Sequence, residues 1–163
     1  MKFSSLACAL LLGTALAGSA PAQPAPQKSD CPANAAAAEN YMQMHQIEAD
    51  FHRAATDHDI DRMMSLFANG ATVDAFGKTY TGADQIRRFW LSSGPFTHHW
   101  VGYTPAFRIA YTLDGDTGHL HFECFYVNQD NQVALHADIN AALVLQNGKW
   151  LMHDVTVTPH PVA

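Results

Sequence analysis

The stretch from Asp59 to Trp90, DIDRMMSLFANGATVDAFGKTYTGADQIRRFW, constrains the fold more than any other part of the chain. It carries a helix start, a strand and a second helix start in immediate succession. Asp59 can accept a hydrogen bond from the first turn of a helix, and Ile60, Met63, Met64 and Phe67 then fall at i, i+3, i+4 and i+7, one face of a 3.6-residue period. Asn69-Gly70 ends that helix. Ala71 to Phe76, β-branched at Thr72 and Val73, reads as a short strand closed by a turn at Gly77. Thr81 and Asp84 have the spacing of a capping box for the next helix, whose apolar stripe is Ile86, Phe89 and Trp90 while Arg87 and Arg88 face outward.

Before this stretch, Met44, Ile47, Phe51, Ala54 and His58 recur at three- and four-residue steps, which predicts a long amphipathic helix from Ala38 to His58. The acidic tract Asp57 to Asp61 is what the dipole of the following helix favours, and it needs no catalytic explanation. After Trp90 the chain reads as strands over 98–113, 118–127, 132–145 and 150–158, separated by Asp114-Gly115-Asp116, a turn at 128–131, and Asn147-Gly148. Helices followed by strands on short turns predict an α+β fold, three N-terminal helices packed on a curved antiparallel sheet.

Alternation sorts the strand residues into two faces. A symmetric turn at 128–131 sets Leu120, Phe122, Cys124 and Tyr126 opposite Ile139, Ala137, Leu135 and Val133, a continuous apolar surface for the concave side. On the other side Glu123 meets His136, His121 meets Asp138, and His119 meets Asn140. His119, His121 and His136 near two carboxylates can be read as a metal site. Cross-strand pairs on a solvated or subunit-facing surface explain them more economically, so no metal is assigned, and assembly through that face would respond to mild acid. In the last strand Leu151, His153, Val155 and Val157 share a face, which points His153 inward, as a pocket residue or a hydrogen-bonded core histidine, and Met152 away.

Residues 1–22 have the form of a signal peptide, with Lys2, an apolar run from Phe3 to Ala17 and a small-residue site at Ala20-Pro21-Ala22. This predicts export to the periplasm or beyond, a linker over 23–37, a domain over 38–159 and a tail over 160–163. Cys31 and Cys124 would remain, and whether they pair is left open, since one falls in the linker and the other in a strand. Nine Lys and Arg against fifteen Asp and Glu, a net charge of −6, argue against a nucleic acid or an anionic membrane as partner. No glycine-rich phosphate loop or nucleophile elbow is present, so no cofactor is implied.

The order of these elements, with the words LFANGATVDAFG and YTGADQIRRFW, resembles the nuclear transport factor 2-like superfamily, which includes SnoaL-like cyclases, scytalone dehydratase and ketosteroid isomerase. The resemblance spans about Ala38 to Pro159. It implies a cystatin-like roll with a conical pocket and a homodimer formed through the outer sheet face. Thr97 to Gly102 is similar to the segment in which a histidine at the position of His99 reaches the ligand of scytalone dehydratase, and Tyr126 falls where that enzyme has its second catalytic histidine. Gly148 to His153 looks like the closing strand whose last side chain often lines the pocket. Two positions depart from the pattern. Ala75 stands where the isomerase has its catalytic aspartate and the dehydratase a tyrosine, with Asp74 one residue early, and Ala141 falls near the isomerase's oxyanion-stabilising acid. The resemblance therefore implies an apolar pocket for a small apolar or aromatic molecule, with a non-catalytic binding or assembly role favoured. The alternative is a cofactor-independent lyase, cyclase or isomerase. In that reading His99 is the base, His153 the second acid or base and Tyr126 a hydrogen-bond donor, with Trp90, Trp100, Phe122 and Leu120 around the ligand.

Overall fold

Alanine, leucine-like and long polar residues with few β-branched interruptions carry the first helix, and its buried residues Met44, Ile47, Phe51 and Ala54 match the predicted stripe. The computed structural model describes residues 35–162. The expected signal peptide, most of the linker, and Cys31 with its pairing to Cys124 lie outside the described residues. The elements are α1 (Ala35–Thr56), α2 (Ile60–Met64), β1 (Phe67–Ala75), β2 (Lys78–Thr81), α3 (Gly82–Ser92), α4 (Gly94–Thr97), β3 (Val101–Tyr103), a 3₁₀ turn (Ala106–Arg108), β4 (Ile109–Asp114), β5 (Thr117–Val127), β6 (Val133–Gln146) and β7 (Lys149–His160). No helix among the described residues is long and apolar enough to cross a membrane.

The helices pack on one face of a curved sheet of order β2-β1-β7-β6-β5-β3, with β4 also paired to β5. All pairs are antiparallel except β1 with β7, which run parallel. A parallel pair is open to these two strands because most of the chain lies between them, and only a direct hairpin demands the antiparallel arrangement.

Asp59 caps α2 as predicted, its Oδ1 accepting from the Arg62 N–H at 2.9 Å. That helix stops at Met64, however, and Phe67 already lies in a strand. The Met152 N–H donates to the Leu66 carbonyl at 2.8 Å and Phe67 sits opposite Met152, so pairing with β7 captures residues that helical periodicity assigned to α2. The turn after β1 is a hairpin onto β2. Phe76 and Gly77 both have positive φ, 53° and 73°, the conformation of a two-residue loop whose twist matches the flanking strands. At the start of α3 the Thr81 side chain makes no cap bond. Gln85 Oε1 instead accepts from the Thr81 N–H at 3.2 Å, so the far residue of the cap is Gln85 rather than Asp84.

Two irregularities set which side chains meet across the sheet. In the β5–β6 hairpin the pairs are Leu120–Ala141, Phe122–Ile139, Cys124–Ala137 and Tyr126–Leu135, two residues further along β6 than a symmetric turn gives. The loop causes the slip. Asn128 Oδ1 accepts from the N–H groups of Asp130 (2.9 Å) and Gln132 (3.0 Å), Asn131 takes φ 59°, and the register shifts between Tyr126 and Val127. An even slip preserves the faces while changing every partner: Glu123 now faces Asp138, His121 faces Asn140, and Phe125 faces His136.

The second irregularity is a β-bulge in β7. Ala141 pairs with Val155 but Leu143 pairs with Met152, so three residues of β7 oppose two of β6. Strict alternation from Val155 back to His153 therefore fails. Trp150 and Met152 are buried before the bulge and Val155 after it, while the His153 side chain stays partly exposed with Nδ1 3.1 Å from Asp154 Oδ2. The inward direction predicted for His153 is corrected, and Met152, expected to point away, is fully buried.

Candidate functional site

Between the concave face of the sheet and the segment from α3 to Trp100 lies a cavity of about 400 Å³, walled by Phe51, Phe89, Trp90, Trp100, Tyr126 and Ile139 among others, with Phe76 and Tyr80 also on its lining. α3 supplies Trp90 because its apolar stripe faces the sheet, and the indole meets Phe51 edge-on at 5.2 Å and 88°. β5 supplies Cys124 and Tyr126 because they alternate inward with Phe122. The lining is mainly apolar, with Ser92, Ser93 and Tyr80 as further polar side chains and Trp90 and Tyr126 carrying two buried donors. Trp90 and Tyr126 line this cavity, and the Trp90 Nε1–H and the Tyr126 hydroxyl are both buried with no hydrogen-bond partner among the described residues. An unpartnered buried donor costs about 1–3 kcal/mol, so each is an incentive for a ligand acceptor to enter. Burial, reinforced by Cys124 and Glu48, raises the Tyr126 phenol well above its ordinary range, and burial likewise raises the Cys124 thiol, so both are neutral donors.

Behind the cavity wall is a histidine that the residue pattern did not single out. His52, on α1, is 4% exposed, and its ring centroid lies 5.6 Å from that of Tyr126. Its Nε2 is 2.7 Å from Thr104 Oγ1, and the Thr104 hydroxyl donates to the Glu123 carbonyl at 2.6 Å. Thr104 Oγ1 must then accept from His52, which puts the imidazole proton on Nε2 and leaves Nδ1 a bare lone pair with no partner among the described residues. Burial pushes the His52 pKa down to about 4, despite Glu48 Oε1 3.3 Å from Nε2. Burial also raises the Glu48 carboxyl, against a smaller opposing effect of Thr104. The signal for this pair was present. Met44, Glu48, His52 and Ala55 fall at i, i+4, i+8 and i+11, so the covered face of α1 is wider than its purely apolar residues and takes in the buried His52 and the partly buried Glu48.

The other predicted residues separate. Trp90, Trp100 and Tyr126 line the cavity. Phe122 and Leu120 are buried in the core, Phe122 edge-on to Phe51 at 5.3 Å, and neither is on the wall. His99 is exposed and stacks on His58 at 5.4 Å and 21°, outside the cavity. The reason is local: the inward position after α4 is taken by Trp100, which stacks on His98 at 4.7 Å. His99 and His153 therefore do not share a cavity, which corrects the arrangement expected of them.

No protein-family model matches the sequence, and no curated protein is significantly similar to it. Solved structures are. A protein of unknown function with a cystatin-like fold from Nostoc punctiforme superposes with a TM-score of 0.66 at 15% identity, over 74% of this chain and 91% of the other. A nuclear transport factor 2-like protein from Novosphingobium aromaticivorans gives 0.62 at 12% identity, over 74% and 81%. A protein from the same organism, provisionally named a scytalone dehydratase, gives 0.63 at 11% identity, over 76% and 86%. At such identities the likeness speaks to architecture, and helices packed on a curved sheet around an apolar cavity agree with it: the chain has the cystatin-like α+β fold of the nuclear transport factor 2-like proteins.

Proposed function

We propose that the chain is an exported small-molecule binding protein that holds an apolar or aromatic ligand bearing one oxygen acceptor. The observation that carries this reading is the pair of unpartnered donors, Trp90 Nε1–H and Tyr126 OH, on residues that line a mainly apolar cavity. A non-catalytic role is favoured because the lining, among the described residues, contains no carboxylate or imidazole to move a proton. Pairing of two copies through the outer sheet face belongs to the same proposal.

Trp90 and Trp100 make the test direct, since a bound ligand alters their fluorescence. Aromatic and terpenoid ketones and alcohols are titrated against wild type, Tyr126→Phe and His99→Ala. Ketone binding is expected to weaken about fivefold to tenfold in Tyr126→Phe, the worth of one neutral hydrogen bond, with His99→Ala unchanged and the ligand recovered intact. Equal ketone affinity in wild type and Tyr126→Phe would remove the reading.

One observation favours a second reading, acid–base chemistry on such a ligand: the neutral His52 imidazole with its bare Nδ1 beside Tyr126. Conversion of a ligand that stops in both Tyr126→Phe and His52→Gln would select it.

A further inference from the structure

The outer face of the sheet, which lies opposite the cavity and is the face assigned to pairing of two copies, carries a cluster that neither ligand reading uses. We propose that His136, Asp138 and His160 form a binding site for a divalent transition-metal ion of the zinc type. Register brings them together: His136 and His160 are direct partners across β6 and β7, and Asp138 follows His136 by two residues, on the same face. One ligating atom from each lies within 4.8 Å of those of the other two. His160 Nε2 is 2.8 Å from Asp138 Oδ2, and the two imidazole rings are 4.5 Å apart. All three side chains are partly buried, so they are held in place yet open to solvent on one side.

Neighbours fix the arrangement. The His136 ring stacks on Phe125 at 4.3 Å and 13°, which sets its plane. Glu123 stands beside the triad, with Oε1 bound by Arg108 at 2.7 Å and Oε2 3.2 Å from His136 Nε2. Glu123 and Asp138 are directly opposite across β5 and β6, an unfavourable like-charge pair that a dication on Asp138 would offset. Two imidazoles and one carboxylate, with a water completing four-coordination, suit zinc, copper, nickel or cobalt; calcium and magnesium prefer oxygen donors throughout. The histidine set suggested by residue order dissolves, because His121 is occupied with Asn140 at 3.0 Å and His119 faces Ala142. An overlapping group of His121, Glu123 and Asp138 offers a single imidazole and is the weaker competitor.

The test uses the untagged chain, stripped with chelator and titrated with Zn²⁺ against a chromophoric zinc indicator. Wild type is compared with His136→Gln, His160→Gln, the double variant and His121→Ala, each checked by circular dichroism for an unchanged metal-free fold. One equivalent of Zn²⁺ per chain is expected, with affinity falling at least tenfold in each single triad variant and staying at the wild-type value in His121→Ala. Zn²⁺ should also raise the melting temperature of wild type but not of the double variant. Failure of wild type to compete with the indicator overturns the proposal. So does wild-type affinity in the double variant, or a loss in His121→Ala equal to that in His160→Gln.

Discussion

Burying a neutral imidazole writes a pH dependence into stability. His52 titrates near 6.5 when unfolded and near 4 in the folded chain, so between those values the unfolded state binds a proton that the folded state refuses. Its contribution is therefore constant above the unfolded pKa and is lost as pH falls towards the folded one. From the two values the loss is about 2 kcal/mol near pH 5 and about 3 kcal/mol near pH 4, relative to pH 7.5. Glu48 acts with the opposite sign, because its raised folded pKa means that the folded state takes up a proton first as pH falls. Comparing wild type with His52→Gln at each pH cancels the titrating groups distant from His52, and carrying Glu48→Gln in both proteins removes Glu48, which lies 3.3 Å from the imidazole. Gln can still donate to Thr104, so the fold is kept. Denaturant unfolding at pH 7.5, 6, 5 and 4.5 should show the difference between the two proteins shrinking or reversing by the amounts above. A difference that stays flat across that range would refute the assignment of His52 as a buried neutral group, as would a directly titrated imidazole pKa near 6.5.

Packing gives a second expectation at Gly102, where a Cβ would lie 2.6 Å from both His52 Nδ1 and Tyr126 Cε1. Gly102→Ala should destabilise the chain by about 1–3 kcal/mol, seen as a lowered denaturation midpoint with unchanged slope. The cap of α2 gives a third: Asp59→Ala removes the acceptor for the Arg62 N–H and should lower stability by about 1 kcal/mol, while Asp59→Asn should recover most of it.

The alternating burial of β5, the stripe of α1 and the cap at Asp59 were legible because each depends on a local period or a single local bond. Tyr126 and Trp90 were found on the same basis, since the face of a strand or helix follows from its neighbours in sequence, whereas Trp100, in the loop before β3, was named only within the segment whose resemblance pointed to His99. His52 was readable in principle and missed, because a polar pair at i, i+4 inside an apolar stripe looks like surface until the helix is known to be covered on that side. His153 was not readable. Its direction depends on one extra residue in β7 opposite Ala141 to Leu143, and a bulge is a property of two strands together. The same holds for the two-residue slip of the β5–β6 hairpin, fixed by the Asn128 loop, and for the metal-like triad, which joins β6 and β7, whose register the bulge decides.

The sequence by itself thus determined the order of the main helices and strands, the apolar faces of α1, α3 and β5, and hence an α+β fold with an apolar concave surface, because periodicity and capping act within a few residues. Tertiary structure alone decided which polar groups meet. Pairing β1 beside β7, shifting β6 and bulging β7 move side chains by whole residues, and a hydrogen bond or a metal ligand set tolerates far smaller displacements than the burial of an apolar side chain does.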